Sequence, residues 1–398
     1  MNRIILFTHS YPYGNGETFV ENELETLTKH FDRVEICPAN GDGEPRSSFN
    51  KTIPVLRPVK SAHSRPLSVF FKLEVLLKEV LSRGFHWSRM RYEWSLIENA
   101  YDLAQSIERL IATNEIASTV YYAYWMDDWV SALGLLKREG RLKHLVCRAH
   151  RFDLYESQNS LGFIPLRMFQ LSAVDEVHCI ANDGCAYMEA NYPSFKPKFK
   201  LSRLGTPDNG LNEQSIPQRF HLVSCSGVRP VKRVDLIARA VAEHGNMKWT
   251  HLGGGKDFSK LQNLVESFKS SDVEIDLKGD LSNDEVHAFL KREPISAFIN
   301  VSSSEGLPVS LMEAASYGIP LIATDVGGTK EIIDPSTCIL LSSNPEISQI
   351  REAFDWINQN SSLESRASIR SFWQMNFSAD TNYRSFASRL IEIIDNRF

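Results

Sequence analysis

No stretch of this 398-residue chain approaches the roughly 20 apolar residues of a membrane span, so no spanning helix is expected. No two of its six cysteines have C-x-x-C spacing, and most sit in apolar, strand-like runs. That excludes a zinc ribbon and a disulfide framework. It predicts buried thiols in a reducing, cytoplasmic setting. A basic excess is missing too. The formal net charge is −5, from 44 Lys and Arg against 49 Asp and Glu, which argues against nucleic acid as a partner. No acidic cluster has the spacing of a magnesium site, and no metal is expected. Asp127-Asp128 is expected at a helix N-terminus instead, and Asp325 stands alone. The dinucleotide fingerprint is incomplete. After the first apolar run comes Gly14-Asn15-Gly16-Glu17, but Phe19 holds the third glycine position and no acid ends the run Ile36-Cys37-Pro38. A nicotinamide or flavin cofactor is therefore not expected.

What is present is a long alternation of short β-rich runs and helical segments. Strands are expected at 3–8, 33–37, 118–123, 144–149, 176–181, 221–226, 248–252, 273–277, 296–301 and 319–324. The first of these reads as a strand because its apolar run is too short for a signal peptide. Such alternation predicts parallel sheets built from βαβ units. Ten strands are too many for one comfortable sheet. A glycine- and proline-rich stretch at 204–217 is expected to link two doubly wound, Rossmann-like domains facing a cleft. The expected division is 1–205, 206–375 and a final helix, 376–398.

The most informative segment runs Glu305-Gly306-Leu307-Pro308 through Glu313, followed by Gly318-Ile319-Pro320. Pro308 suits the first turn of a helix, and Gly318 with Pro320 suits its exit. Glu305 is then expected in the loop before the helix, and Glu313 inside it, roughly 7–8 Å along the axis at about 1.5 Å per residue. The N–H groups of the helix start would hold an anion between them. One element can thus meet a sugar, a diphosphate and a ribose. Other strand ends carry candidate binding groups. Gly14 and Gly16 form a turn that lets backbone approach a phosphate, with a helix expected to open at Glu17. His150 and Asp153 follow the strand at 144–149. Arg229, Lys232 and Arg233 follow the strand at 221–226, where they would neutralise a departing diphosphate. Gly254 and Gly279 mark two further turns that could face a base.

With these residues in place the chain resembles the retaining glycosyltransferases of family 4, which have the GT-B fold. The resemblance runs along nearly the whole chain and is most specific over Ser303–Pro308, Glu313-Ala314, Gly318–Thr324 and Gly327-Gly328. It implies that Glu305 meets the donor sugar, that Glu313 meets the ribose and that Lys232 meets the donor phosphates. It also implies that Gly14 to Glu17 form the family's glycine loop and that His150 lies near the donor sugar. Gly227 stands where the family has an arginine, so Arg229 or Arg233 is expected to supply that charge. The C-terminal residues, with Trp373, Tyr383 and Phe386, resemble members that build bacterial surface polysaccharide, in which the last helix returns to the first domain. The implied reaction moves a sugar from a nucleoside diphosphate to a hydroxyl of a glycan, lipid-linked in such members, with retention and without a metal, the acceptor binding to 1–205 and the nucleotide-sugar donor to 206–375. An epimerase or hydrolase, or a non-catalytic partner subunit, would share the architecture.

Residues 51–91 hold nine Lys and Arg against two Glu, a formal +7, so the rest of the chain carries −12. Aliphatic and aromatic residues interleave with these cations. That pattern suits the surface of an anionic membrane, with Arg83, Arg89 and Arg91 toward the lipid, on the cytoplasmic face of the inner membrane.

Overall fold

The structure is a computed structural model that describes residues 1–398 except 15, 16, 18, 42, 60–64, 112–114, 213, 269–271 and 396–398. The chain forms two compact units, Met1–Ser202 with Tyr383–Phe398, and Arg203–Asn382.

The first unit carries β1 (Arg3–Thr8), α1 (Val20–His30), β2 (Arg33–Pro38), α2 (Val69–Arg83), α3 (Trp87–Ile111), β3 (Thr119–Ala123), α4 (Asp128–Arg138), β4 (His144–Ala149), α5 (Arg167–Ala173), β5 (Glu176–Cys179), α6 (Asn182–Asn191) and β6 (Phe199–Leu201). All six strands are parallel, in the order β2-β1-β3-β4-β5-β6. β1, Arg-Ile-Ile-Leu-Phe-Thr, is buried throughout, because helices cover both faces of a parallel sheet. On one face α3, α4 and α5 pack a core around Tyr121, Trp129 and Leu145.

The second unit continues with β7 (Phe220–Cys225), α7 (Val234–His244), β8 (Met247–Leu252), α8 (Phe258–Glu266), β9 (Val273–Leu277), α9 (Asn283–Arg292), β10 (Ala297–Asn300), α10 (Val309–Ser316), β11 (Leu321–Thr324), β12 (Ile339–Leu341), α11 (Ile347–Asn360) and α12 (Leu363–Phe377). Its parallel sheet has the order β12-β11-β10-β7-β8-β9. In both sheets the order reverses beside the first strand, between β1 and β3 and between β7 and β10. Ligands in such sheets bind outside the carboxyl ends of the strands at that reversal.

The last helix, α13 (Ala379–Ile394), returns to the first unit as the resemblance implies. Phe386, Ala387, Leu390 and Ile393 are buried against Ile4, Leu6, Val120 and Val146 on the second face of the sheet. Beneath them lies Arg148 of β4, wholly buried. Its Nε donates to Tyr122 Oη at 2.7 Å and to Glu23 Oε2 at 3.1 Å, and its guanidinium sits 4.2 Å from the Phe386 ring centroid.

Four expectations need correction. The helix after Gly14 starts at Val20, not Glu17; Glu17 is left-handed at φ 57° and turns its side chain back on the loop. β6 and β12 are three-residue edge strands, too short to show a period of two. The 204–217 stretch, expected only as a linker, is held in place. Asn212, wholly buried, donates to the carbonyls of Leu290 and Glu293 at 2.7 and 2.9 Å, and a Cβ on Gly205 would stand 2.4 Å from Ala379 Cα. In the basic segment, Arg83 points inward to Ile164 O and Tyr192 Oη, both at 2.8 Å, and pairs with Glu156. Arg89 lies over the Phe163 ring at 4.5 Å, while Arg91 is exposed. Lys60 lies outside the described residues.

Phe386→Ala should cost about 3–5 kcal/mol of stability, since it opens a cavity and leaves Arg148 without its ring. Urea denaturation measures this. A loss under about 1 kcal/mol would show that α13 is not part of the first unit's core.

Candidate functional site

The reversal in the second sheet places the loops after β7 and β10 side by side. After β7 the chain makes one 3-10 turn, Pro230–Lys232, and enters α7 through Arg233, left-handed at φ 48°. After β10, Ser303 N donates to Val231 O at 2.8 Å, which fastens one loop to the other. The result is an ion pair across the reversal: Lys232 Nζ lies 2.5 Å from Glu305 Oε1. Asn300 Nδ2 donates to the same oxygen at 3.1 Å, while its own Oδ1 accepts from Ser302 N at 2.9 Å. Glu305 is thereby fixed in direction. Its Oε2 accepts no hydrogen bond among the described residues and can meet a further donor.

Pro308 is the N-cap of α10 rather than its first helical residue, and the helix ends at Ser316, with Gly318 at φ 71°. At its start Leu311 N and Met312 N donate to Pro308 O at 3.2 and 3.4 Å, which leaves the N–H groups of Val309 and Ser310 without an acceptor in the helix. Gly306 O accepts from Gly328 N at 2.7 Å, and a Cβ on Gly327 would stand 2.1 Å from Glu305 O. The Gly327-Gly328 pair thus lets the two loops touch, and Leu307 is buried beneath. One turn into the helix, Glu313 is deeply set. Its carboxylate accepts no hydrogen bond among the described residues, and His287 Nε2 stands 3.7 Å away. Burial pushes this carboxyl up to about 7. A carboxylate held so is short of hydrogen-bond donors, which paired sugar hydroxyls would supply.

The remaining candidates divide. Arg233 is spent on backbone. It donates to Val301 O at 2.6 Å, Ser302 O at 3.0 Å and Ser343 O at 2.9 Å, binding α7 to the β10 loop. Arg229 is exposed and lines a cavity of about 380 Å³ with Arg239 and Lys260. Gly254 is used for close packing: its N–H reaches Asp280 Oδ1 at 2.9 Å and its carbonyl accepts from Val228 N at 2.6 Å. Gly279, at φ 69°, accepts from Gly253 N at 2.8 Å. These two turns knit the ends of β7, β8 and β9 together.

In the first unit, Gly14 sits at φ 63° and its carbonyl accepts from Arg46 Nε at 2.6 Å; Gly16 lies outside the described residues. The neighbouring Glu17 gathers N–H groups from His9 at 3.0 Å, Ser10 at 2.7 Å and Tyr11 at 2.7 Å, and Trp125 Nε1 at 2.6 Å. Burial pushes its carboxyl up, but these bonds outweigh burial and hold it below its ordinary value. His150 is buried at the end of β4, 5.0 Å from the Tyr124 ring and 4.2 Å from that of Trp125, and neither ring nitrogen has a hydrogen-bond partner among the described residues. Asp280 and Trp125 were not legible as site residues, because each acts through a partner distant in sequence, and Asn300 carried no motif of its own although its partners Ser302 and Glu305 are close. Among the described residues, no group of three or more His, Cys, Asp or Glu is placed to hold a metal ion.

The Glu313 carboxyl has a raised folded value, so the folded chain holds its proton where the unfolded chain has lost it. That stability is present below about 4.5 and is lost as pH rises toward about 7. Glu313→Gln should therefore match the parent's melting temperature near pH 4.5 and exceed it at pH 8, by a difference on the order of 2 kcal/mol. Equal melting temperatures at both pH values would show that Glu313 is not held in a desolvated site.

Residues 212–372 match the family model described as Glycosyl transferases group 1. The UDP-N-acetylglucosamine–peptide N-acetylglucosaminyltransferase GtfA subunit of Streptococcus pneumoniae is 26% identical over 173 residues, 42% of this chain and 33% of that protein. The O-antigen biosynthesis glycosyltransferase WbnH of Escherichia coli is 29% identical over 116 residues, 29% of this chain and 32% of that protein. The chain thus spans about a third of the length of these two curated relatives. The lipopolysaccharide outer core galactosyltransferase WaaB, in its apo form, shares the fold over 100% of both chains, with a TM-score of 0.68 at 16% identity. Two parallel six-stranded sheets in the orders described give the chain a GT-B fold, and α10 with its flanking loops lies inside the segment, residues 212–372, that matches the glycosyl transferases group 1 model.

Proposed function

We propose that this chain is a retaining, metal-independent glycosyltransferase of bacterial surface polysaccharide synthesis, moving a sugar from a nucleoside diphosphate to a glycan hydroxyl. The observation that carries the reading is the Lys232–Glu305 pair beside the start of α10, with Glu313 one turn further on. Lys232 and the first-turn N–H groups hold the diphosphate. Glu305 takes sugar hydroxyls through its open oxygen, and Glu313 takes the ribose hydroxyls. Arg229, whose side chain is not tied to backbone as Arg233 is, supplies the second cation. The family resemblance assigns His150 to the donor sugar as well. The bond from the anomeric carbon to the phosphate oxygen breaks, and the acceptor oxygen bonds to the same face. The leaving phosphate oxygen takes the acceptor's proton. Charge on the diphosphate grows as its bond breaks, so the cations and helix start stabilise the transition state more than the bound donor.

Lys232→Ala should cut turnover by about 10²–10³-fold while weakening donor affinity much less. Activity should survive a chelator. Initial rates with UDP-, GDP- and ADP-sugars, with product analysis, check both and separate transfer from hydrolysis or epimerisation. Unchanged turnover in Lys232→Ala, or a strict need for added magnesium or manganese, would overturn the mechanism.

The acceptor is proposed to be lipid-linked and reached from the cytoplasmic leaflet of the inner membrane. Among the described residues no helix is long and apolar enough to cross a membrane. The solvent face of α2 is nonetheless apolar. Phe70 is 86% exposed, Leu77 55% and Leu81 77%, with Leu73 between them at helical spacing; Phe85 and Trp87 continue the exposed run. An amphipathic helix of this kind rests in a lipid interface, and the formal +7 of residues 51–91 favours an anionic one. Contact therefore runs through the apolar stripe rather than through Arg83. The chain should sediment with anionic vesicles at low salt, and Phe70→Ser with Leu81→Ser should abolish this without lowering the melting temperature. Equal recovery of parent and variant in the supernatant would exclude the membrane role.

A further inference from the structure

Among the described residues Glu313 has one ionisable neighbour within ion-pair reach, His287 of α9, and that imidazole is held from behind. The Tyr317 hydroxyl, just past the end of α10, donates to His287 O at 3.3 Å, so its oxygen is left to accept His287 Nδ1–H at 3.1 Å. The Asn209 amide is more distant, 3.4 Å from Nδ1, and can share that proton through its oxygen. With the proton on Nδ1, Nε2 carries the lone pair and faces Glu313 Oε1 at 3.7 Å. That separation suits an ion pair and is too long for a hydrogen bond between neutral partners. The imidazole therefore engages the carboxyl once a proton has moved from Glu313 to His287.

The other titratable groups around the pair are committed. Cys225, at the end of β7, is pushed up to about 12 by burial and by Glu313, so it stays a thiol. Burial and Glu313 likewise push the Tyr317 hydroxyl up to about 12. On the loop after β7, Lys232 is paired with Glu305. From α12, Arg370 donates to Ser316 O and pairs with Asp208, both at 2.5 Å. On α9, burial holds His287 below its ordinary value, although Asp284 favours the charged ring. Below about 7, then, the empty site holds its proton on Glu313 and leaves His287 neutral. A ribose diol reverses that preference, because two hydroxyl donors favour the carboxylate, and the carboxylate in turn favours an imidazolium beside it.

We propose that His287 is the proton partner of Glu313. As a ribose diol closes on the carboxyl, the O–H bond of Glu313 breaks, its proton passes to Nε2 of His287, and the imidazolium holds the carboxylate toward the diol. The assignment rests on the donor-site reading of Glu313. His287 is a positioning residue, since it acts through Glu313 and not on the reacting atoms. A neutral acid and a neutral base become an ion pair, so no net proton leaves the site. Donor affinity then stays level as pH falls below the value at which Glu313 is protonated. A lone Glu313 would have to give its proton to water, and affinity would fall with pH.

Titration calorimetry on the full chain with UDP-, GDP- and ADP-glucose tests this. A diphosphate esterified at both ends does not titrate near neutrality, so a linked proton belongs to the protein. Two buffers of different ionisation enthalpy count that proton. The parent should bind at least one of the three, with a Kd that changes by less than about threefold between pH 8 and pH 6 and no net proton released at pH 6. His287→Gln and His287→Leu should each bind about tenfold more weakly at pH 6 than at pH 8 and release about one proton at pH 6. A loss of packing alone would weaken binding equally at both pH values. With no ligand present, the ring NMR signals of His287 should move with a midpoint of about 7 in the parent and lose that step in Glu313→Gln. The same pH dependence in parent and both variants, or His287 signals indifferent to Glu313→Gln, would overturn the assignment even if a nucleotide-sugar binds. A His287 step that depends on Glu313, with no binding of any nucleotide-sugar, would keep the proton pair and remove the donor reading.

Discussion

In each unit a single carboxylate closes the gap that the strand reversal opens, and the local architecture depends on that closure. Where β1 and β3 diverge, Glu17 collects the backbone of the first loop and the indole of Trp125 from the second. Where β7 and β10 diverge, Glu305 accepts from Lys232 on one loop and Asn300 at the end of β10. The two solutions differ in kind. Glu17 is saturated by four N–H donors and has a lowered carboxyl value, so it is a fastener. Glu305 keeps one oxygen open, so it can fasten and bind at once. A shared constraint of topology is thus met once by structure alone and once by a group with capacity left over.

Capacity left over is costly in a folded chain. Glu313 and Asp127 are carboxyls that burial drives toward neutrality rather than ions settled in salt bridges. His150 and Gln170 hold buried polar atoms that nothing among the described residues satisfies. Other buried charges are paired, as Arg148 is with Glu23 and Arg3 with Glu35. His150 follows the carboxyl end of β4, while other unpartnered atoms, such as Glu79 Oε2, Glu93 Oε1 and Arg366 Nε, lie within helices. An unpartnered group weakens the empty fold and becomes favourable when a ligand supplies the missing donors.

The alternation of apolar runs made ten of the twelve strands and the two-unit plan legible, because a parallel sheet covered on both faces needs continuous apolar runs. The loop-to-helix placing of Glu305 and Glu313 was legible from Pro308 and Gly318, whose backbone preferences are local. What escaped depends on partners far along the chain. β6 and β12 exist only as additions to an existing edge. Arg233 looks like a free cation until Val301, Ser302 and Ser343 claim it. Gly254 looks like a ligand contact until Asp280 and Val228 fill both its backbone bonds. The basic run at 51–91 shows charge in sequence, but only three dimensions reveal that Arg83 turns inward while Phe70 and Leu81 turn out.

The return of α13 has a consequence for how the chain is made. The face of the first sheet around Ile4, Leu6 and Val146 waits for Phe386, Leu390 and Ile393. Between Ser202 and Tyr383 lie the 180 residues 203–382 of the second unit (382 − 203 + 1). At roughly 5–20 residues per second, a ribosome needs about 10–40 s to cross them. For that interval the earliest-made unit carries an uncovered apolar sheet face, while the later unit can already complete its own core. The order of completion is the reverse of the order of synthesis, and the emerging N-terminal unit is the part of the chain on which a ribosome-associated chaperone would act.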